Sequence, residues 1–270
     1  MRLAVIVTTY NRPNALEMVL AGFAAQSDLE FELIIADDGS KEDTKASVDS
    51  FRATAPMPVK HVWQEDQGFR AAAVRNKAAL ATDAEYFVFT DGDCVPTRNF
   101  VRAHRCLAEP KCFLAGSRLL LNEGLTAEVL TNQIPIYAWT WGDWKSAKMS
   151  ASINRRVPLL EFPFPGFLRK LTPRRWQGVR TCNFSLWRDD FAKANGFDER
   201  YSGWGLEDSD LAIRLIHSGV IHKSARFAAP VLHLWHREFD RLSLQENKVR
   251  LDALLKEGAV CAVLGRDQYT

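Results

Sequence analysis

This sequence predicts an α/β fold with a mostly parallel central sheet covered by helices, and three observations lead there. Short apolar, β-branched runs alternate with helix-patterned segments from Leu3 to Thr90, which is the rhythm of successive strand–helix–strand units. A polar cluster follows each of three of those strands. Sheets of this kind bind ligands outside the carboxyl ends of their strands, so the three clusters point to one shared crevice.

Taken in order, Leu3-Ala4-Val5-Ile6-Val7 opens the fold as a buried strand and runs into the polar stretch Thr8 to Arg12. Pro13 marks a helix start, and Leu16, Val19, Leu20 and Phe23 keep helical spacing behind it. Phe31 to Ala36 is the second strand, ending at Asp37-Asp38-Gly39-Ser40. A polar helix over 41–53 and a third strand, Val59 to Trp63, follow. Ala71 to Ala81 is alanine-rich and helical. Tyr86 to Phe89 is the fourth strand, leading through Thr90 into Asp91-Gly92-Asp93.

The composition is that of an ordinary globular chain: 270 residues, 47% hydrophobic, 25% charged, net charge +2. That balance argues against wholesale polyanion binding, and no role with nucleic acid is expected. No apolar run approaches the ~20 residues of a membrane span. The apolar stretch after Met1 is too short for a signal-peptide core. Five cysteines, at 94, 106, 112, 182 and 261, have no paired spacing and read as reduced thiols of a cytoplasmic protein. Cys94 reads as packing, because a soft thiol is a poor ligand beside a hard cation. Beyond residue 125 the character changes. Residues 131–180 carry Trp139, Trp141, Trp144 and Trp176, three prolines between 158 and 165, and many basic residues. An irregular, proline-rich insertion packed on the main domain, with a solvated basic face, is the plainer reading. The alternative is an interfacial surface over 155–175, at the cytoplasmic face of a membrane, where Phe162 to Leu168 precede Arg169-Lys170 and Arg174-Arg175.

Four constellations carry chemistry. Two carboxylates one glycine apart at the end of a core strand, Asp91 and Asp93, are costly to place there without a partner. A divalent cation that takes oxygen ligands is the natural one, and a turn is the bland alternative. Gly203-Trp204-Gly205-Leu206-Glu207-Asp208 leads into a helix on which Asp208, Leu211, Ala212 and Leu215 share one face, with Asp210 opposite and Glu207 on a flank. Either the helix N-terminus holds Asp208, or Asp208 lines a cleft. Trp204 offers a platform for a sugar ring. His233 and His236 could both reach one metal only if the chain leaves regular strand geometry between them. Histidine with carboxylate suits Mn²⁺ or a similar ion better than Ca²⁺. Finally Gly68 precedes a helix bearing Arg70 and Arg75, where arginines and a helix N-terminus suit phosphate.

Together these residues resemble the inverting family 2 glycosyltransferases of the GT-A fold, a Rossmann-like architecture. Val5 to Pro13 is similar to that family's opening strand and nucleotide loop, Asp37-Asp38-Gly39-Ser40 to its second-strand signature, and Asp91-Gly92-Asp93 to its DXD motif. Gly203 to Asp208 resembles the WGxED segment of β-1,4-galactosyltransferases and bacterial chondroitin-type polymerases, and Leu232 to His236 their late metal-binding segment. The resemblance covers roughly 3–120 and 180–240. It implies a nucleotide-sugar-binding half over 1–125 and a catalytic, acceptor-side half over 181–270, and with the basic aromatic insertion over 126–180, which it does not cover, these are expected to form one compact unit. It implies nucleotide contacts from Thr8, Tyr10, Arg12, Asp38, Gly68, Arg75 and Asp91. Metal ligands would come from Asp93, His236, His233 and Asp91, with Mn²⁺ ahead of Mg²⁺. Asp208 would be the base, and Trp204 and Glu207 the acceptor contacts. The implied activity is inverting hexosyl transfer from a UDP-sugar to a glycan or glycolipid in cell-surface polysaccharide or lipopolysaccharide synthesis. A nucleotidyltransferase and a non-catalytic nucleotide-sugar-binding module are the alternatives.

Overall fold

The computed structural model describes residues 1–149, 152–154, 162, 164–203, 205–237 and 242–270. The first half follows the expected alternation: β1 (Leu3–Thr9), α1 (Pro13–Ala24), β2 (Phe31–Asp37), α2 (Glu42–Thr54), β3 (Val59–Trp63), α3 (Ala71–Leu80) and β4 (Tyr86–Asp91). Shorter elements follow: β5 (Cys94–Pro96), α4 (Phe100–Leu107), β6 (Cys112–Ala115), β7 (Arg118–Leu120), α5 (Glu123–Asn132) and α6 (Trp141–Met149). The last part holds β8 (Phe184–Trp187), α7 (Arg188–Lys193), α8 (Glu207–His217), β9 (Ile221–Ser224), β10 (Val231–His233) and α9 (Leu244–Glu257).

Among the described residues the main sheet has seven strands in the order β3-β2-β1-β4-β8-β6-β9. β8 runs antiparallel to both neighbours, β4 and β6, while the other pairings are parallel. Strands buried on both faces have no polar side to show, which is why β1, β2 and β4 read as nearly unbroken apolar runs. One core lies under each face. Val5, Leu16, Phe23, Leu33 and Val88 belong to the first, and Ile6, Ile34, Val74, Phe89 and Phe184 to the second. In the segment after residue 125, Val129, Ile136, Trp144, Ala147 and Ile153 are buried in the first core.

Register carries the functional consequence. Thr8 lies opposite both Ala36 of β2 and Asp91 of β4, and Thr9 lies opposite Asp37. The three polar clusters therefore end at one level of one sheet edge. A small second sheet, β5-β10-β7, delivers the C-terminal histidines to the same edge, with His233 opposite Cys94. Gly92 is what lets the chain leave β4 there. Its N–H donates to Thr8 O at 2.7 Å, and a Cβ at this position would lie 2.8 Å from Thr9 Oγ1. Overpacking of this kind costs about 1–3 kcal/mol. Gly92→Ala should lower the denaturant midpoint accordingly and displace both flanking aspartates, read as weaker nucleotide binding beyond the stability loss.

Candidate active site

Arg75 sits at the centre of the crevice. It lies on α3 between buried alanines and is only 4% exposed. Its Nε donates to Thr8 Oγ1 at 2.9 Å, one terminal nitrogen to Glu207 Oε1 at 2.9 Å, and the other to Asp91 Oδ1 at 3.2 Å. One guanidinium thus ties the ends of β1 and β4 to the start of α8. Phe197 closes its face at 5.5 Å. The next residue, Asn76, locks the C-terminal part in place by exchanging two 2.9 Å bonds with the Phe197 backbone.

Asp38 occupies the end of β2. It accepts from the Arg70 N–H at 2.7 Å and from Gln64 Nε2 at 2.6 Å, while burial raises its pKa against those bonds. Its neighbour Asp37 has an internal duty, accepting from the Ser40 N–H at 2.8 Å and contacting His61 Nε2 at 2.9 Å. Tyr10 is 42% exposed at the rim, with its hydroxyl donating to Asp66 at 2.9 Å.

On the far side, Asp93 gathers three basic groups. Arg12 donates to its Oδ2 at 2.8 Å and to Trp235 O at 3.2 Å. His236 Nε2 lies 3.4 Å from Oδ2 and His233 Nε2 3.7 Å from Oδ1. β10 ends at His233, so residues 234–236 are free of strand geometry and both imidazoles can face one carboxylate. Burial drops the His233 pKa to about 4 despite Asp93, leaving a neutral imidazole fit to donate a lone pair. Asp93, Cys94 and His233 offer ligand atoms within 4.8 Å of one another. The Cys94 thiol is held protonated by burial, so the donor set is carboxylate and imidazole. That set fits Mn²⁺ or a related divalent ion.

The head of α8 forms a further wall of the cleft. Gly203, Gly205 and Leu206 all have positive φ, at 69°, 103° and 80°. This left-handed stretch turns the chain sharply before Glu207. Asn247 of α9 fixes it, donating to Gly205 O at 3.0 Å and Ser202 O at 3.3 Å. Asp208 is half-buried and accepts from the Ser209 N–H at 2.7 Å. Burial first and Glu207 second push its pKa to about 7, against the pull of Arg180. Burial likewise lifts Asp91 to about 6, with Arg75 opposing. Asp210 points away from the cleft, as its spacing predicts, into an internal ion pair with Arg214 at 2.6 Å.

A cleft of about 620 Å³ brings together Thr8, Tyr10, Arg12, Asp38, Arg75, Asp91, Asp93, Glu207, Asp208, His233 and His236. Gly68 stands apart from it: its φ is +82° and its N–H goes to Asp66 at 3.1 Å, so it serves a turn. Trp204 lies outside the described residues. The cleft also contains Arg118 and Arg180, which nothing in the sequence separates from other arginines. Gln64 had a signal, since it follows β3 and stands at a strand end like the other three clusters.

Residues 4–175 match glycosyl transferase family 2, and residues 168–237 match the N-terminal domain of galactosyltransferase. The chain belongs to glycosyl transferase family 2, and its architecture is the GT-A fold. Chondroitin synthase of Escherichia coli is 27% identical over 246 residues, covering 84% of this chain but 34% of that protein, so the chain spans about a third of that relative's length. The structure of S. aureus TarS 1-349 in complex with UDP superposes with a TM-score of 0.65 at 16% identity, over 99% of this chain and 68% of that one. Mannosyltransferase PcManGT of Pyrobaculum calidifontis, in complex with GDP-Man and Mn²⁺, gives 0.65 at 18% identity, over 95% and 64%.

Removing the Arg75 charge leaves Asp91 and Glu207 facing each other without a counter-ion. Arg75→Met should cost about 3 kcal/mol or more at pH 8, in line with breaking one side of a buried ion pair. A carboxylate with a raised folded-state pKa loses stability as pH rises through that value. The deficit should therefore shrink on going to pH 5, where Asp91 can protonate. Denaturant unfolding at the two pH values checks this, and a pH-independent deficit would point to lost packing instead.

Proposed function

We propose that the protein transfers a hexosyl group from a UDP-sugar to a glycan acceptor in one inverting displacement. The observation that carries this reading is that Asp208 lines the same cleft as Asp93 and its two histidines, next in the chain to Glu207, which Arg75 ties to Asp91. The acceptor hydroxyl oxygen bonds to the anomeric carbon, the bond from that carbon to the diphosphate oxygen breaks, and Asp208 takes the hydroxyl proton. A group with a pKa near the working pH is well matched to that task. Thr8, Tyr10 and Asp38 hold the nucleoside, and Asp91 divides its two oxygens between Arg75 and the ribose or metal side. Asp93, His233 and His236 hold a divalent ion, Mn²⁺ by donor chemistry, with support from its presence in the mannosyltransferase complex. When bound, such an ion supplies Lewis-acid stabilisation of the departing diphosphate. UDP as the nucleotide finds support in the TarS complex, and a polysaccharide acceptor in the chondroitin synthase relationship. Glu207, already bonded to Arg75, can set the acceptor beside Asp208.

A glycolipid acceptor at a membrane surface belongs to the same reading. No helix among the described residues is long and apolar enough to cross a membrane. Phe167 and Leu171, 71% and 72% exposed, stand beside the exposed Arg174 and Arg175, which suits a peripheral contact. Residues 155–161 and 163, also expected to take part, lie outside the described residues.

Asp208→Asn should lose about 10³-fold or more in transfer, on the scale of general-base catalysis, while UDP–Mn²⁺ affinity stays near wild type. Near-normal turnover would remove Asp208 from the chemistry. Wild-type kcat/KM should rise with pH through about 7, following the Asp208 carboxyl. Asp93→Ala should abolish the Mn²⁺ dependence of UDP binding in calorimetry, and an unchanged dependence would place the metal elsewhere. Vesicles containing phosphatidylglycerol should retain wild type at moderate salt and release a Phe167→Ser/Leu171→Ser variant. Equal retention of the two would count against the membrane contact.

A further inference from the structure

A second cavity, of about 220 Å³, opens beside the cleft and shares Gln177, Gly178 and Val179 with it as a common wall. Its chemistry is one-sided. Arg169, Arg175, Arg226 and His222 line it, and no carboxylate does among the described residues. Nor is this the ordinary solvated charge of a surface. Arg169 is only 4% exposed. Its guanidinium donates to Phe164 O at 3.2 Å, Ser224 O at 3.0 Å, Arg226 O at 3.0 Å and Phe162 O at 3.3 Å. These bonds take up four of its five donors and fix its position, but carbonyl dipoles do not cancel a full charge. Burial pulls its pKa down with no acid to oppose it among the described residues. A buried guanidinium with no counter-charge among the described residues is expensive, and it leaves a positive potential in the cavity.

The neighbouring lysines show the contrast. Lys170 and Lys223 are neutralised together by Glu109, the latter at 3.0 Å. Arg175 and Arg226 are exposed at the cavity mouth. Arg175 spends its Nε on Gln177 O at 3.2 Å, and Arg226 lies 5.7 Å over the Phe227 ring, so both are braced. Their planar forks match carboxylate and phosphate oxygens. His222 directs Nδ1 to Thr172 O at 3.1 Å. Leu168 and Leu171 form an apolar lip against which a sugar or aglycone face can lie.

We propose that this cavity is an acceptor subsite for an anionic group, a carboxylate or a phosphate, carried by the glycan beyond the unit that reacts at Asp208. The wall shared with the cleft gives one acceptor chain a route to both. The subsite rests on the transferase reading for its role, and it makes the enzyme selective for acidic acceptors.

Calorimetry on the full chain saturated with UDP and Mn²⁺, which fills the nucleotide cleft, tests it with glucuronate, glucose 1-phosphate and glucose as probes. Wild type should bind at least one of the two anions saturably and glucose far more weakly. Arg175→Gln/Arg226→Gln should weaken that binding by about tenfold or more, the scale of losing charge-assisted bonds, with UDP affinity unchanged as the control for folding. Response to glucuronate alone assigns a uronic acid, to glucose 1-phosphate alone a phosphorylated sugar, and to both a site for either anion. The proposal is overturned by absent saturable binding, by equal anion affinity in wild type and double variant, or by glucose binding as tightly as the anions. A wild type that fails to bind UDP at all strikes the nucleotide-sugar reading instead, so the two failures are told apart.

Discussion

The Arg75 guanidinium is the constraint around which this structure is arranged. It is buried, and a buried cation must be paired and bonded to be tolerated. Thr8, Asp91 and Glu207 meet that demand from three elements far apart in sequence. Satisfying it forces the start of α8 against the carboxyl ends of β1 and β4. The same contact stops two carboxylates from repelling each other across the cleft. A site that gathers Asp91, Asp93, Glu207 and Asp208 needs an internal cation before any ligand arrives.

The carboxylates are then sorted by environment. Asp93 has Arg12 and two imidazoles around it, and His233 is kept neutral by burial. Asp208 has no ion-pair partner within reach among the described residues, only the Ser209 N–H and more distant arginines, and its pKa climbs to about 7. One side of the cleft is thus suited to hold positive charge and the other to accept a proton. The left-handed backbone at Leu206 is local strain just before α8, and Asn247 braces it through Gly205 O.

Much of this was legible residue by residue. The strands β1 to β4 announced themselves because both their faces are buried, so their side chains had no reason to alternate. Asp38, Asp91 and Asp93 were legible because carboxylates at the ends of apolar strands have little structural excuse. Gln64 obeys the same rule more faintly, because a neutral amide at a strand end costs less to bury than a carboxylate and so needs less of a partner. Arg118 and Arg180 were not legible, since an arginine in a basic stretch looks alike whether it faces water or a cleft. The segment after residue 125 was legible only in part. Its prolines and charges read as an irregular insertion packed on the main domain, without showing that Val129, Ile136 and Trp144 are the side chains that enter the core. Irregular backbone hides the periodicity by which buried side chains are recognised.

The sequence by itself determined the strand–helix rhythm, the polar residues at the strand ends, and the helical face headed by Asp208. All of these are short-range properties, set by side-chain period and backbone preference. Only the tertiary structure decided that Arg75 would reach Glu207, 132 residues away, and that both histidines would turn to Asp93. It also decided that Asp208 would line the same cleft as that carboxylate. Those are long-range pairings, chosen by which buried charges must neutralise one another once the sheet has closed, and no local pattern encodes the partner. The Asp-Gly-Asp turn could be read as crowded charge from its three residues, but what relieves the crowding arrives from Arg12, Arg75 and the end of β10.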